Sequence, residues 1–393
     1  MKKRALLISQ YFPPDINAAS FRINDLYNAL LSKKYEVTVV TSYPQKAEVE
    51  TTKEIKNIHR IKLGKVDKKS FFNYLKNFFG FMFKSTFYSL FHLRREKYDY
   101  IIVTSPPLFV AVGGMIASLV KRSKLIIDIR DLWPDSAVSA GMLKSDGLLY
   151  KVTKKLEKLL YKKADIITCV SKPMRDYIYE ESKNSNIHVL YNGISPETLE
   201  NPPRVEERQN IEKVTIGYAG NIGIVQNMGV ILKVSQLLEQ YDVNSIFEFI
   251  IIGDGIERKR LEKDAKELGL QNIIFTGALS KKDVISKLNN VDVLFLSLKE
   301  DATLDKTIPS KLFDYLLNNK PIITSIKGEG RKILNDLGST LFFEPSSPES
   351  LANAILEYTK DKRSYDKAAK NNREYVIKNY NREKGFKEFL ERI

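Results

Sequence analysis

The feature that most constrains this chain is an alternation running almost from end to end: short apolar, β-branched runs separated by stretches with helical spacing. In the N-terminal half the runs fall at 4–9, 36–41, 58–62, 99–104, 124–129, 165–170 and 187–191, with helical patterns over 20–33, 107–121, 145–162 and 171–181. Continuous apolar runs read as parallel strands covered by helices on both faces of a sheet. The alternation pauses at 192–212, a polar segment with Pro196, Pro202 and Pro203, and resumes with runs at 213–219, 246–252, 272–276, 291–297, 320–325 and 340–343. Two such series around a proline-containing linker predict an α/β protein of two doubly wound domains facing each other. The expected divisions of the 393 residues are 1–195, a linker 196–212, 213–375, and a terminal helix 376–393 packing across the junction.

Composition narrows the partners. Of the net +15, residues 1–200 carry +13, so an acidic surface should meet the N-terminal half. The single Cys169 excludes a disulfide scaffold, and the scattered His59, His92 and His188 form no ligand spacing; no metal site is expected. Met1-Lys2-Lys3-Arg4 runs straight into a strand, which predicts no signal peptide and a cytoplasmic location.

One segment departs from the alternation. Residues 71–91 hold ten of the 41 aromatic residues, and Phe78, Phe79, Met82 and Phe83 recur at helical spacing. Asn73, Lys76, Asn77 and Lys84 argue against a membrane-spanning helix, while Lys65, Lys68, Lys69, Arg94, Arg95 and Lys97 flank the segment. That combination reads as a helix lying in the headgroup layer of an anionic membrane; the alternative is a core helix beside the sheet. Nucleic-acid binding would want basic residues spread among exposed stacking aromatics, and is set aside.

Ligands of doubly wound domains bind at the carboxyl ends of strands. The loop after the first strand, QYFPPDINAA, offers Asn17 and Ala18 as a helix start that caps itself or holds an anion, and alone favours the cap. The segment after 124–129 crowds Asp128, Arg130, Asp131 and Asp135 around the only tryptophan, either as a salt-bridge cluster or as a site. In a site, Arg130 would neutralise a phosphate and Asp131 would orient a hydroxyl. Segment 305–321 places Pro309 in the first turn of a helix, with Ser310, Lys311 and Asp314 on the arc opposite Leu312, Phe313, Leu316 and Leu317. Lys311 with the helix start suits a diphosphate and Asp314 a pair of ribose hydroxyls, although a solvated Lys–Asp pair gives the same pattern. Asn221 in the Gly220–Gly223 loop, Gly253 in a Gly-Asp-Gly turn, and Ala278 and Leu279 after another strand complete the candidates.

Taken together, YFPPDINAASFRI, DLWPDSAVSAG, YNGI, GYAGNIGIVQN, FIIIGDG and IPSKLFDYLLNNKPII resemble the retaining glycosyltransferases of family 4, nearly throughout the chain. More narrowly they resemble the branch of N-acetyl-L-fucosamine transferases of O-antigen and capsule assembly. The resemblance implies two Rossmann-like domains of the B-type architecture and transfer of a sugar, an N-acetylated deoxy sugar by the narrower resemblance, from a UDP-sugar to a lipid-linked or glycan acceptor. An acceptor on a polyprenyl diphosphate would place the enzyme peripherally on the inner face of the cell membrane. The family pairs two glutamates eight residues apart, the second on ribose hydroxyls; here the second position is Asp314, one methylene shorter, and the first falls on Lys306 beside Asp305. Relatives hold the diphosphate with an Arg and a Lys where this chain has Asn221 and Gln226, which leaves Lys311 and Arg130 to supply the charge. No cofactor beyond the donor sugar nucleotide is expected, and no metal is needed. The rival readings are a sugar-nucleotide epimerase of the same architecture and a non-enzymatic membrane-binding protein.

Overall fold

The structure, a computed structural model, describes residues 2–44, 56–64, 71–203, 213–239 and 247–393; the side chains of Phe71, Phe72 and Tyr74 are outside this description, as are Lys65, Lys68, Lys69 and most of the expected linker. The chain divides into two compact units, one of residues 1–138, 142–196 and 381–393, the other of residues 139–141 and 197–380.

The first unit is a seven-stranded sheet of β1 (Arg4–Ile8), β2 (Glu36–Ser42), β3 (Ile58–Ile61), β4 (Tyr100–Ser105), β5 (Lys124–Ile129), β6 (Ile166–Cys169) and β7 (Ile187–Val189), ordered β3-β2-β1-β4-β5-β6-β7. Every pairing is parallel. Alternate residues of each strand enter two cores, which is why the runs are apolar throughout. Leu6, Ile8, Ile101, Val103, Leu125 and Ile127 pack with Phe81, Phe109 and Leu160 on one face, and Ala5, Leu7, Ile102 and Ile126 with Leu26, Leu30, Phe386 and Phe389 on the other. The Arg382–Arg392 helix thus packs on the first unit, against the Ala18–Ser32 helix, and Arg382 pairs with Asp25 at 2.7 Å.

The second unit is a six-stranded parallel sheet of β8 (Val214–Ala219), β9 (Phe247–Ile252), β10 (Ile273–Gly277), β11 (Val293–Leu296), β12 (Ile322–Thr324) and β13 (Thr340–Phe342), ordered β10-β9-β8-β11-β12-β13. In both sheets the order reverses beside the first strand, β1 or β8. That reversal opens the crevice at which doubly wound sheets take ligands.

The aromatic segment differs from its sequence reading. The helix spans Phe71–Phe87 and widens into a π-helical turn at Tyr88–His92. Met82 is buried and Phe78 packs against the core, while Phe79 lies 4.1 Å from Phe109 between ring centroids. Of the four expected lipid-facing residues Phe83 is the most exposed, and the outward row continues through Phe87 and Phe91 (66%, 54% and 59% exposed). The stripe is too wide for one environment, so its two sides are divided between core and surface. Among the described residues no helix is long and apolar enough to cross a membrane.

Candidate functional site

In the second unit three loops stack at the carboxyl edge through their backbones. Gly220 N donates to Ile252 O at 2.8 Å, Ile222 N to Asp254 O at 2.9 Å, and Gly253 N to Gly277 O at 2.8 Å. A Cβ on Gly253, whose φ is +137°, would lie 1.9 Å from Gly220 O, so the Gly-Asp-Gly turn exists to let two backbones touch.

Lys311 reaches this edge from the Ser310–Leu316 helix. Its ammonium lies 4.0 Å from the centroid of the Tyr218 ring and donates to the Tyr218 hydroxyl, which in turn donates to Asn221 O at 2.5 Å. The neighbouring Tyr315 hydroxyl accepts from Ala219 N at 3.0 Å, tying the helix to the end of β8. Gly220, with φ +141°, leaves the passage for Lys311: a Cβ there would stand 2.2 Å from both Cε and Nζ. Burial pushes the Lys311 ammonium down to about 7, against the pull of Asp314. A lysine whose partner is a phenol rather than a carboxylate is a cation held ready for an anion from outside.

The other candidates of this unit fall around that cradle. Asn221 and Gln226 meet each other, Asn221 Nδ2 donating to Gln226 Oε1 at 3.3 Å, and the same oxygen accepts from Gly223 N at 3.0 Å; Gln226 caps the Ile224–Gln226 turn. Asp314 is exposed one turn beyond Lys311, and Ser310 opens the helix. Asp305 precedes it, its carboxyl pushed up by burial, and its carbonyl rests against Gly328. Ala278 and Leu279 follow β10, with Ala278 exposed.

The first unit sorts the four charges of the 128–135 segment. Asp128 is fully buried; burial works against its charge, but a bidentate pair with Arg22 (3.0 and 2.8 Å) and the Thr168 hydroxyl at 2.7 Å hold its carboxyl below the usual range. Asp135 pairs with Lys154 at 2.5 Å and accepts from Tyr150 at 2.6 Å. These two carboxylates hold the fold together. Arg130 and Asp131 remain at the strand end. Arg130 donates to Pro106 O at 2.6 Å, and its Nε is buried with no hydrogen-bond partner among the described residues. Burial pushes the Asp131 carboxyl up, against a hydrogen bond from Ser136. In the loop after β1, Asn17 Oδ1 accepts from Ser20 N at 2.9 Å as a helix cap, with Ala18 exposed beside it.

Two residues of these edges escaped the sequence reading as individuals. Tyr218 was visible only as part of the GYAGN string, while Gly220, expected as the start of a phosphate-approach loop, instead makes room for Lys311. Gln10 is wholly buried at the end of β1, with neither side-chain amide atom hydrogen-bonded among the described residues; nothing in its neighbours' chemistry marks it. Among the described residues no group of three or more His, Cys, Asp or Glu side chains could hold a metal ion.

Two doubly wound parallel units with stacked loops fit both the transferase and the epimerase reading, and comparison with known proteins decides between them. The family model "Glycosyl transferases group 1" matches residues 203–375, and "Glycosyltransferase Family 4" matches residues 19–198. The chain belongs to this group 1, family 4 type of glycosyltransferase. Among curated relatives it is 23% identical over 272 residues to "Probable glycosyltransferase WbjE" of Pseudomonas aeruginosa, covering 67% of each chain. It is 24% identical over 293 residues to WcaI of Escherichia coli K12, whose name places it in colanic acid biosynthesis, covering 70% of this chain and 69% of that one. Its fold matches sucrose-phosphate synthase of Thermosynechococcus elongatus (TM-score 0.75, 15% identity, 99% and 98% of the two chains). It also matches Anabaena HepE in complex with UDP and glucose (TM-score 0.69, 14% identity, 99% of each chain). Both domains are Rossmann-like, in the B-type glycosyltransferase architecture.

Proposed function

We propose that this glycosyltransferase moves a sugar from a UDP-sugar, with retention of anomeric configuration, onto a lipid-linked or glycan acceptor in bacterial surface polysaccharide synthesis. The observation that carries the reading is the Lys311 cradle: a partly discharged ammonium held by Tyr218 at the carboxyl edge of β8. A diphosphate leaving group builds negative charge in the transition state, and a preplaced donor that gains charge as the anion arrives stabilises that state more than the ground state. Asp314, exposed one turn on, is placed to accept from sugar hydroxyls. Arg130 and Asp131 keep their assigned parts as a cation for a phosphate and a carboxylate for a hydroxyl. The leaving diphosphate oxygen takes the acceptor's proton. The names of relatives such as WcaI support the polysaccharide setting, and UDP-bound HepE supports the choice of nucleotide.

A peripheral station on an anionic membrane belongs to the same proposal. It rests on the outward row Phe83, Phe87 and Phe91, on exposed Leu119 and Val120 of the neighbouring Leu108–Lys121 helix, and on exposed Arg94 and Arg95. The test is a thermal-shift screen over UDP, GDP, CDP and UDP-sugars in the presence of EDTA. UDP should raise the melting temperature most and chelator should change neither the shift nor turnover. A larger shift with another nucleotide overturns the donor, and loss of turnover in EDTA that Mg²⁺ restores overturns the metal-free mechanism.

A further inference from the structure

The first unit carries an apolar cavity of about 670 Å³, within the range of ligand pockets, which the donor chemistry leaves unused. Phe83, Phe87, Phe91, Ile116, Met82 and Ile61 line it, the phenylalanines and Ile116 being exposed and Met82 and Ile61 buried. The groove is built in, because the two helices that bound it are locked together beneath it. A Cβ on Gly113 would lie 2.3 Å from the Thr86 hydroxyl, so only glycine lets the Leu108–Lys121 helix sit this close to the Phe71–Phe87 helix. The π-helical turn at Tyr88–His92 then splays the rest: Phe87 stacks on Phe91 with centroids 4.5 Å apart, and Tyr88 turns inward to meet His59 Nδ1 at 3.0 Å. Such turns inside helices commonly mark functional places.

Arg60 also lines the cavity. Its guanidinium donates to Ser42 O at 3.2 Å and to Pro13 O, a carbonyl of the loop after β1; burial lowers its proton affinity from the usual arginine value, and the nearby Asp15 and Tyr43 oppose that only in part. Two of its five N–H groups are used in these bonds, which leaves donors for an anion. Polarity therefore grades along one path within the first unit, from the exposed phenylalanines through the groove and Arg60 to the β1 loop. Lys84 stands at the same groove, donating to Lys62 O at 2.8 Å.

We infer that this groove takes the isoprenoid chain of a polyprenyl diphosphate-linked acceptor, with the diphosphate at Arg60 and the carried sugar directed to the carboxyl edge of the first sheet. The inference rests on the proposed lipid-linked acceptor and makes it specific. A hydrocarbon chain suits a groove of aromatic and aliphatic side chains, and the anionic head suits the cations at its end.

The test titrates the full chain with isopentenyl, geranyl, farnesyl and geranylgeranyl diphosphate, with inorganic diphosphate and UDP as controls. Affinity should climb with each isoprene unit, by about tenfold or more between isopentenyl and farnesyl, since each buried methylene adds a favourable increment. Ile116→Trp, which fills the groove from its rim, should flatten the series. Arg60→Met should weaken all prenyl diphosphates alike and leave the slope. Should Ile116→Trp fail to fold, Ile116→Phe makes a smaller enlargement at the same half-exposed position. A flat series in the wild type, or a slope that survives groove filling in a folded variant, overturns the inference. UDP reports separately: a prenyl slope without any UDP response would leave the groove standing and sink the UDP-sugar reading.

Discussion

At the carboxyl edge of the second sheet Lys311, Tyr218 and Tyr315 are all hydrogen-bonded, whereas at the edge of the first sheet several buried polar atoms have no such partner among the described residues. Those atoms are both ends of the Gln10 amide, Asn17 Nδ2, Ser20 Oγ and Arg130 Nε. The difference separates two ways of preparing for a ligand. The second edge stores its readiness in a proton affinity, because the buried ammonium of Lys311 holds its proton weakly until an anion comes. The first stores it in open hydrogen-bonding capacity, and each buried group left unpaired costs about 1–3 kcal/mol. The charge asymmetry points the same way: the half with +13 is the half with the open donors.

The largest effect should come from breaking the second edge. Lys311→Met removes a charge-assisted contact to the diphosphate worth about 1.5–3 kcal/mol, so turnover should fall roughly ten- to a hundredfold. The same change should raise the melting temperature of the ligand-free protein near pH 6, since it removes a buried charge. A variant that turns over the donor like wild type puts the diphosphate elsewhere.

Next in size is a pH dependence whose sign follows from the depressed pKa. Burial pushes Lys311 down to about 7 in the folded chain, from about 10.5 for a solvated lysine, so between those values the unfolded chain binds more protons. The ligand-free fold therefore loses stability as pH falls towards 7, and the full penalty persists below it. UDP restores the charge, so binding takes up a proton and affinity should fall above pH 7, by up to about tenfold per unit. Calorimetry in two buffers of different ionisation heat reads that proton directly. No proton uptake in wild type, or the same uptake in Lys311→Met, breaks the account.

Much of this was legible in the sequence, and the limits have physical causes. The strands appeared because parallel strands are apolar on both faces, and Lys311 and Asp314 because helical spacing puts them on one arc. Asp128 and Asp135 read the same as Arg130 and Asp131, since a crowd of charges does not say which ones are spent on Arg22 and Lys154. The aromatic stripe was equally ambiguous. A sequence shows that Met82 and Phe83 are apolar, but only packing against the neighbouring helix and the sheet decides that one faces inward and the other outward. Gly220 matters for a contact 91 positions away, which no local pattern records.

That contact gives a smaller effect. Gly220→Ala places a methyl where Lys311 passes and asks a non-glycine residue to hold a φ of +141°. The backbone strain costs about 1–3 kcal/mol, and the displaced ammonium should weaken UDP binding several-fold. Unlike Lys311→Met, this variant should lower the melting temperature, so the two changes separate loss of the cation from loss of its passage. A Gly220→Ala protein with wild-type stability and affinity means the lysine does not need this path.

The smallest effect tests the first edge on its own terms. Gln10→Met keeps the length and most of the shape of a side chain that is 0% exposed, while removing two polar atoms with no hydrogen-bond partner among the described residues. If the amide's capacity is open in the ligand-free protein, its removal should stabilise the fold by about 1 kcal/mol, because replacing an unsatisfied buried group with an apolar one removes a desolvation cost. The melting temperature should rise by about 2–4 °C, and UDP affinity should stay unchanged, since the Lys311 cradle belongs to the other unit. A fall in melting temperature instead would mean that ordered water already satisfies the amide. The contrast between an open edge and a closed one would then reduce to Arg130, Asn17 and Ser20.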